Sequence, residues 1–87
     1  MKHIIFQPEF ERNAQKLPDH IKQRLKELLV IFPEDPFHLY LHTKALKEPW
    51  KGYFGFRITR NYRAIFKFTS DDTITLYTID HRKDVYR

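Results

Sequence analysis

The chain has 87 residues with 41% apolar side chains, no cysteine and 16 basic against 11 acidic residues, which gives a net charge of +5. This length predicts a single domain over residues 1–87. The lack of cysteine excludes a disulfide-stapled scaffold and a cysteine zinc site, and it is consistent with a cytoplasmic protein. We find neither a signal peptide nor a membrane span in the sequence. The charge favours a polyanionic partner (nucleic acid, the ribosome or an acidic protein), although a merely soluble basic protein would share it.

The first part of the chain predicts a short strand followed by two helices. Residues 4–6 read as the strand, and Pro8 suits the first turn of a helix because its missing N–H has no partner there. Pro18 separates the two helices, and Pro33 ends the second. Each helix has one apolar stripe: Phe10, Ala14 and Leu17 in the first, and Ile21, Leu25, Leu28, Leu29 and Phe32 in the second. The pair therefore forms a hairpin with one apolar side.

The second part of the chain predicts three consecutive strands. Residues 37–50 have a poor pattern that could hold a short strand and is interpreted mainly as a connection. Strands are expected over 53–59, 62–68 and 73–79, separated by short polar turns. The order β-α-α-β-β-β predicts a two-layer α+β fold, with the helical hairpin packed on one face of an antiparallel meander sheet and the other face open.

Alternation along these strands assigns the side chains to the two faces of the sheet. The set under the helices is predicted to be Phe54, Phe56, Ile58, Tyr62, Ala64, Phe66, Phe68, Ile74, Leu76 and Thr78. The set on the open face is predicted to be Tyr53, Arg57, Arg63, Ile65, Lys67, Tyr77 and Ile79. Basic and aromatic side chains are thus expected to share the uncovered face.

The register of the first hairpin adds a constraint, since paired residues must point the same way. A plain two-residue turn at Arg60-Asn61 would put Arg63 opposite Ile58 and mix the two faces. We therefore predict a three-residue loop or a bulge near residues 59–61, with Ile58 opposite Tyr62 and Arg57 opposite Arg63. Two opposed arginines repel each other, which suits a phosphate site; alternatively, both guanidiniums lie over tyrosine rings.

Three stretches resemble the RelE/ParE superfamily of type II toxins: "NYRAIFKF" (61–68), "TITLYTIDHRKDVYR" (73–87) and "LKEPWKGYFGFRI" (46–58). The resemblance covers most of the chain and implies the RelE/ParE fold. RelE-like members are ribosome-dependent endoribonucleases that cut mRNA in the decoding site, and a cognate antitoxin silences them. ParE-like members share the fold and poison DNA gyrase. The closing motif favours the RelE side, so an mRNA interferase in the cytoplasm is expected.

The resemblance also implies site residues, which we carry over one by one. It implies phosphate-contacting arginines at Arg63 and Arg82, a basic strand position at Arg57 and a site tyrosine at Tyr86. His81 lies where some relatives use a histidine for proton transfer. The alignment of the family's lysine-rich segment is looser and falls on Lys44 and Lys47.

RNA supplies its own nucleophile, the 2′-hydroxyl, so the protein must provide alignment, proton transfer and positive charge. Arginine suits the last task because its fork matches phosphate oxygens and stays charged. A histidine, with an ordinary pKa of about 6.5, suits proton transfer better than a tyrosine at about 10. Tyr53 and Tyr77, with Tyr86, are candidates for stacking on bases. His42 lies near Lys44 in sequence and is a weaker candidate for the site.

No histidine or carboxylate spacing typical of a metal site occurs, so neither a metal nor another cofactor is expected. The expected partners are a cognate antitoxin, mRNA on the ribosome, and operator DNA reached only through the antitoxin. The alternatives are a gyrase-poisoning toxin and a non-catalytic RNA-binding relative.

Overall fold

The computed structural model describes residues 1–81. The elements in chain order are β1 (His3–Phe6), α1 (Pro8–Gln15), α2 (Asp19–Ile31), a 3₁₀ turn (Leu39–Leu41), β2 (Lys44–Ala45), β3 (Phe54–Thr59), β4 (Tyr62–Ser70) and β5 (Thr73–His81). Pro8 opens α1 and Glu9 lies in its first turn, where a carboxylate interacts favourably with the positive end of the helix dipole. No helix in residues 1–81 is long and apolar enough to cross a bilayer.

The strands form one five-stranded sheet in the order β1-β5-β4-β3-β2. The meander β3-β4-β5 is antiparallel throughout, as predicted. Two features go beyond the prediction. Strand β1 pairs with β5 in parallel, which makes the sheet mixed. The segment 37–50, interpreted mainly as a connection, contains the 3₁₀ turn and β2, and β2 pairs with β3 as an edge strand.

The hydrophobic core lies between the two helices and the sheet, which confirms the two-layer α+β prediction. Phe32, at the end of α2, is completely buried, and its ring centroid lies 4.8 Å from that of Phe56 and 4.9 Å from that of Phe66. Asn13 of α1 donates a hydrogen bond of 2.8 Å to the hydroxyl of Thr78 in β5. The predicted helix-facing positions Phe56, Ile58, Ala64, Phe66, Ile74 and Leu76 all belong to this core.

Two residues assigned to the open face are buried instead. Ile79 belongs to the core because the register of β5 shifts at Tyr77, so that Leu76 pairs with Phe66 while Ile79 pairs with Ala64. A bulge of this kind inserts one residue and changes which later positions face the core. Ile65 is also completely buried, although it is not part of the core between the layers.

Phe66→Ala is expected to lower the free energy of unfolding by about 3–5 kcal/mol, because it removes a fully buried aromatic ring and leaves a cavity. Urea denaturation followed by circular dichroism would measure this loss. Phe37→Ala is the matched control, since Phe37 is 58% exposed, and it should cost about 1 kcal/mol or less. Equal losses for the two variants would contradict the core described above.

Candidate functional site

The β3–β4 hairpin places two arginines directly opposite each other. Arg57 pairs with Arg63, and the register shifts between Arg57 and Thr59, which pairs with Tyr62. The predicted bulge is therefore present, with Ile58 as the inserted residue, and Arg57 does oppose Arg63. The predicted pairing of Ile58 with Tyr62 is wrong: the bulge precedes a two-residue turn, whereas the prediction allowed for an odd-length loop.

A cleft of about 250 Å³ lies at this end of the sheet, beside the paired arginines. Its lining contains four basic side chains and one histidine, from β2, β3, β4 and the turns around them. The lining residues are His42, Lys44, Leu46, Gly55, Phe56, Arg57, Thr59, Arg60, Asn61, Tyr62 and Arg63. Among residues 1–81 the lining contains no acidic side chain, so the positive charge of the cleft favours an anionic ligand.

Arg63 is the least exposed of these four cations. One terminal nitrogen lies 4.0 Å from the Asp80 carboxylate, and the Arg63 side chain is 29% exposed. The Nε atom is buried and has no hydrogen-bond partner among the described residues. A buried donor without an acceptor costs about 1–3 kcal/mol. A phosphate in the cleft would instead meet the partly exposed end of the Arg63 side chain, whose guanidinium fork matches phosphate geometry.

His42 enters the cleft from the 3₁₀ turn. The turn is anchored by Leu41, which is completely buried. His42 follows it with φ 50° and ψ 43°, a left-handed conformation, and its backbone N–H bonds the Leu39 carbonyl at 3.3 Å. The tertiary fold therefore brings His42 beside Lys44, in the neighbourhood that the sequence suggested for it.

His81 takes a different position from His42. It pairs with Tyr62 across β4 and β5, and the two rings meet edge to face with centroids 4.7 Å apart. The neighbouring pair is Arg63 with Asp80, so alternation directs His81 away from Arg63. His81 is not among the cleft-lining residues. The predicted site residues Arg82 and Tyr86 lie outside the described residues, and their roles stay predictions.

The remaining predicted residues divide between the cleft and a second region of the same sheet. Lys44 lines the cleft, whereas Lys47 does not; the Lys47 carbonyl accepts a hydrogen bond of 2.9 Å from the Trp50 N–H. Tyr53 and Tyr77 are in ring contact, with centroids 5.3 Å apart. Within residues 1–81 the cation–π contact is made by Lys67 over Tyr53, at 5.2 Å, and by neither arginine of the pair.

The open face of the sheet is partly covered by Leu46, which packs against Gly55. A Cβ on Gly55 would lie 3.2 Å from Cδ2 of Leu46, so Leu46 packs where a side chain would otherwise stand. Ile65 pairs with Gly55 and is shielded on this side. The sequence reasoning missed Leu46, Arg60 and Trp50, because each lies in a turn or connection where alternation assigns no face.

Comparison with known proteins identifies the family. The sequence model of the ParE toxin of type II toxin–antitoxin systems (parDE) matches residues 4–86. The chain belongs to this toxin family. A comparison with curated proteins found no match.

Solved structures with this fold include toxins and toxin–antitoxin complexes. The RelB–RelE antitoxin–toxin complex from Methanococcus jannaschii contains a chain 25% identical to this toxin, with a TM-score of 0.73 and 94% of each chain covered. YafQ from Escherichia coli BL21(DE3) is 19% identical, with a TM-score of 0.76 and both chains fully covered. The DinJ–YafQ complex from E. coli gives 19% identity and a TM-score of 0.75 over both full chains.

No group of three or more His, Asp or Glu side chains in residues 1–81 is arranged to hold a metal ion. The described part of the candidate site is a cationic cleft whose lining includes one histidine.

Arg57→Gln is expected to raise the free energy of unfolding of this toxin by a few tenths of a kcal/mol at low ionic strength, since like charges directly opposite each other destabilise a sheet. Salt screens such repulsion, so the gain should shrink at 1 M salt. Urea titrations at both ionic strengths would measure it. Lys22→Gln, on the helical layer, is the control and should show no such gain. An Arg57→Gln variant that is less stable at low salt would show that the pair is not repulsive.

Proposed function

We propose that this toxin is an endoribonuclease that cuts mRNA in the decoding site of the ribosome. The observation that carries the proposal is the pair Arg57–Arg63, which lines a cationic cleft. Membership of a toxin family supports a growth-inhibiting role.

The proposed reaction uses the RNA as its own nucleophile. The 2′-oxygen loses its proton and attacks the adjacent phosphorus, forming a new P–O bond. The bond from phosphorus to the 5′-oxygen breaks, and that oxygen takes up a proton. The products are a 2′,3′-cyclic phosphate and a 5′-hydroxyl. The transition state carries additional negative charge on the phosphoryl oxygens, which fixed cationic donors stabilise.

Arg57 and Arg63 are assigned to the scissile phosphate, because they lie opposite each other on adjacent strands. Arg82 is assigned to transition-state charge or to the leaving 5′-oxygen. The resemblance assigns proton transfer to His81 or Tyr86, although His81 is directed away from Arg63 in the described sheet. The roles of Arg82, His81 and Tyr86 rest on the family resemblance.

His42 is a further candidate for proton transfer, since it lines the same cleft as the paired arginines. Lys44, on β2 beside it, would contact a neighbouring phosphate. A histidine and a lysine beside two arginines supply both the charge and the titratable group that the reaction requires.

The alternative function is inhibition of DNA gyrase, and the matching family model, which describes a ParE toxin, favours it. Gyrase inhibition requires no proton-transfer group, whereas RNA cleavage does. Inducible expression followed by primer extension on cellular mRNA, with DNA supercoiling assayed in parallel, separates the two. Translation-dependent cuts within codons support the endoribonuclease, and intact mRNA with gyrase-linked DNA breaks supports the alternative. Unaffected growth with neither effect would indicate a non-catalytic RNA-binding relative.

Arg63→Ala should reduce mRNA cleavage by about 10²-fold or more, because it removes a charge contact to the transition state. Arg82→Ala is expected to show a similar loss. Single-turnover cleavage of mRNA on programmed ribosomes would measure both. Arg24→Ala is the matched control, since Arg24 lies on α2 and pairs with Glu27 at 3.4 Å; it should cleave normally. Full cleavage by a folded Arg63→Ala variant would remove Arg63 from the site.

A cognate antitoxin is the expected inhibitor, and the RelB–RelE and DinJ–YafQ structures are complexes. Two surfaces of this toxin suit it. The first is the cationic cleft, which an acidic segment could cover. The second is an apolar groove formed by Phe6 of β1 and by residues of both helices, namely Phe10, Glu11, Ala14, Gln15, Lys22, Leu25, Lys26 and Leu29. Operator DNA would be reached only through the antitoxin.

If the antitoxin covers the cleft, its association rate should fall steeply with salt, and Arg57→Ala should reduce that dependence. If it docks in the groove, Ala14→Gln, which adds bulk without charge, should weaken capture without changing the salt dependence or the cleavage of free toxin. Stopped-flow association at several ionic strengths, using the product of the neighbouring short reading frame, distinguishes the two surfaces. A neighbour that neither binds nor rescues growth would count against the toxin–antitoxin assignment of this pair.

A further inference from the structure

Three aromatic rings form a continuous row on the sheet face that carries the paired arginines. Trp50 and Tyr53 meet edge to face with centroids 5.4 Å apart, and Tyr53 meets Tyr77 in the same way at 5.3 Å. All three side chains are partly exposed. The ammonium group of Lys67 lies 5.2 Å from the centre of the Tyr53 ring. We call this set, Trp50, Tyr53, Tyr77 and Lys67, the aromatic row.

The register of the sheet places the aromatic row and the cleft on one face. Leu46 N–H bonds the Tyr53 carbonyl at 2.9 Å, which continues the β2–β3 pairing past the end of β3. Tyr53 therefore alternates in step with Gly55 and Arg57. On β4, Lys67 and Arg63 are related in the same way, four residues apart.

The distance along the strands between the paired arginines and the aromatic row determines which nucleotide the row can contact. Four residues of extended strand span roughly 13 Å. Leu46 and Gly55 lie between the two regions, next to buried Ile65. They separate the aromatic row from the cleft by a strip of apolar surface. A phosphate held at Arg57 and Arg63 would thus leave the aromatic row for a different nucleotide of the same strand.

The composition of the row matches what unpaired nucleic acid recognises. Aromatic faces accept any base, and a lysine beside them can contact the phosphate of the same nucleotide. Base stacking on aromatic side chains is a main source of affinity in single-strand recognition. The row also helps to hold the segment 46–53 on the sheet, so the experiment must separate stacking from folding.

We propose that the aromatic row is a second nucleotide subsite, on which a base of the single-stranded RNA stacks at a fixed distance from the scissile phosphate. Trp50 and Tyr77 provide the stacking surface at the two ends of the row, and Lys67 contacts the backbone. The subsite rests on the proposed function, because it supposes that RNA occupies the cleft.

The test combines a base deletion in the RNA with a ring deletion in the toxin. A series of short oligoribonucleotides carries one abasic residue at each position in turn, with the cleavage site blocked by a 2′-deoxy substitution. Affinity is measured by fluorescence anisotropy at low salt, and unblocked versions of the same RNAs are tested for cleavage on programmed ribosomes. Wild-type toxin should lose about tenfold in affinity at one position away from the scissile phosphate.

Tyr77→Leu should bind the intact RNA about tenfold more weakly and should lose no more affinity when that base is absent. Tyr77→Phe keeps the ring and should behave as wild type. Tyr40→Leu removes a tyrosine that is 55% exposed in the 3₁₀ turn, and it should leave the abasic profile unchanged. A variant that is merely misfolded would bind every RNA less well while keeping the abasic effect.

The subsite is overturned if no abasic position outside the scissile dinucleotide weakens binding, or if the effect has equal size in wild type and Tyr77→Leu. These outcomes are distinct from failure of the proposed function. Cleavage of unblocked RNA without an abasic effect removes the subsite alone. A selective abasic effect without cleavage keeps the subsite and removes the nuclease assignment.

Discussion

The opposition of Arg57 and Arg63 is the constraint on which the site depends. Two guanidiniums on adjacent strands repel each other, and the bulge at Ile58 fixes them in this register while keeping Ile58 itself in the core. The Cα positions of the two arginines cannot separate without changing the pairing of the hairpin. The structure thus holds positive charge in place before any ligand arrives, and such preorganised charge is what a phosphoryl transition state requires.

The rest of the fold supports this arrangement by separating stability from function. The helices, together with the rings of Phe32, Phe56 and Phe66, bury one face of the sheet and supply most of the hydrophobic stabilisation. The other face can then carry repelling cations and a buried N–H that lacks a partner among the described residues. Leu46 packs over Gly55 and covers part of this second face. The cleft and the aromatic row are therefore separated by apolar surface.

Local pattern was sufficient for much of the fold. The apolar stripes and prolines predicted both helices, and alternation predicted the three meander strands. The need to keep Arg63 out of the core predicted a three-residue loop or a bulge in the β3–β4 hairpin, and the structure has the bulge. The motifs in 46–58, 61–68 and 73–87 indicated the toxin superfamily, and the family match confirms it. These inferences succeeded because they depend on side-chain periodicity and near neighbours in the chain.

The sequence by itself therefore determined the two-layer architecture, the opposed arginines and the toxin family. Only the tertiary structure decided that β1 joins β5 in parallel, that a bulge at Tyr77 turns Ile79 into the core, and that His42 rather than His81 lines the cleft. The physical reason is that strand order, bulge position and the path of a connection are set by contacts between segments far apart in the chain. The periodicity of side chains within one segment does not predict those long-range contacts.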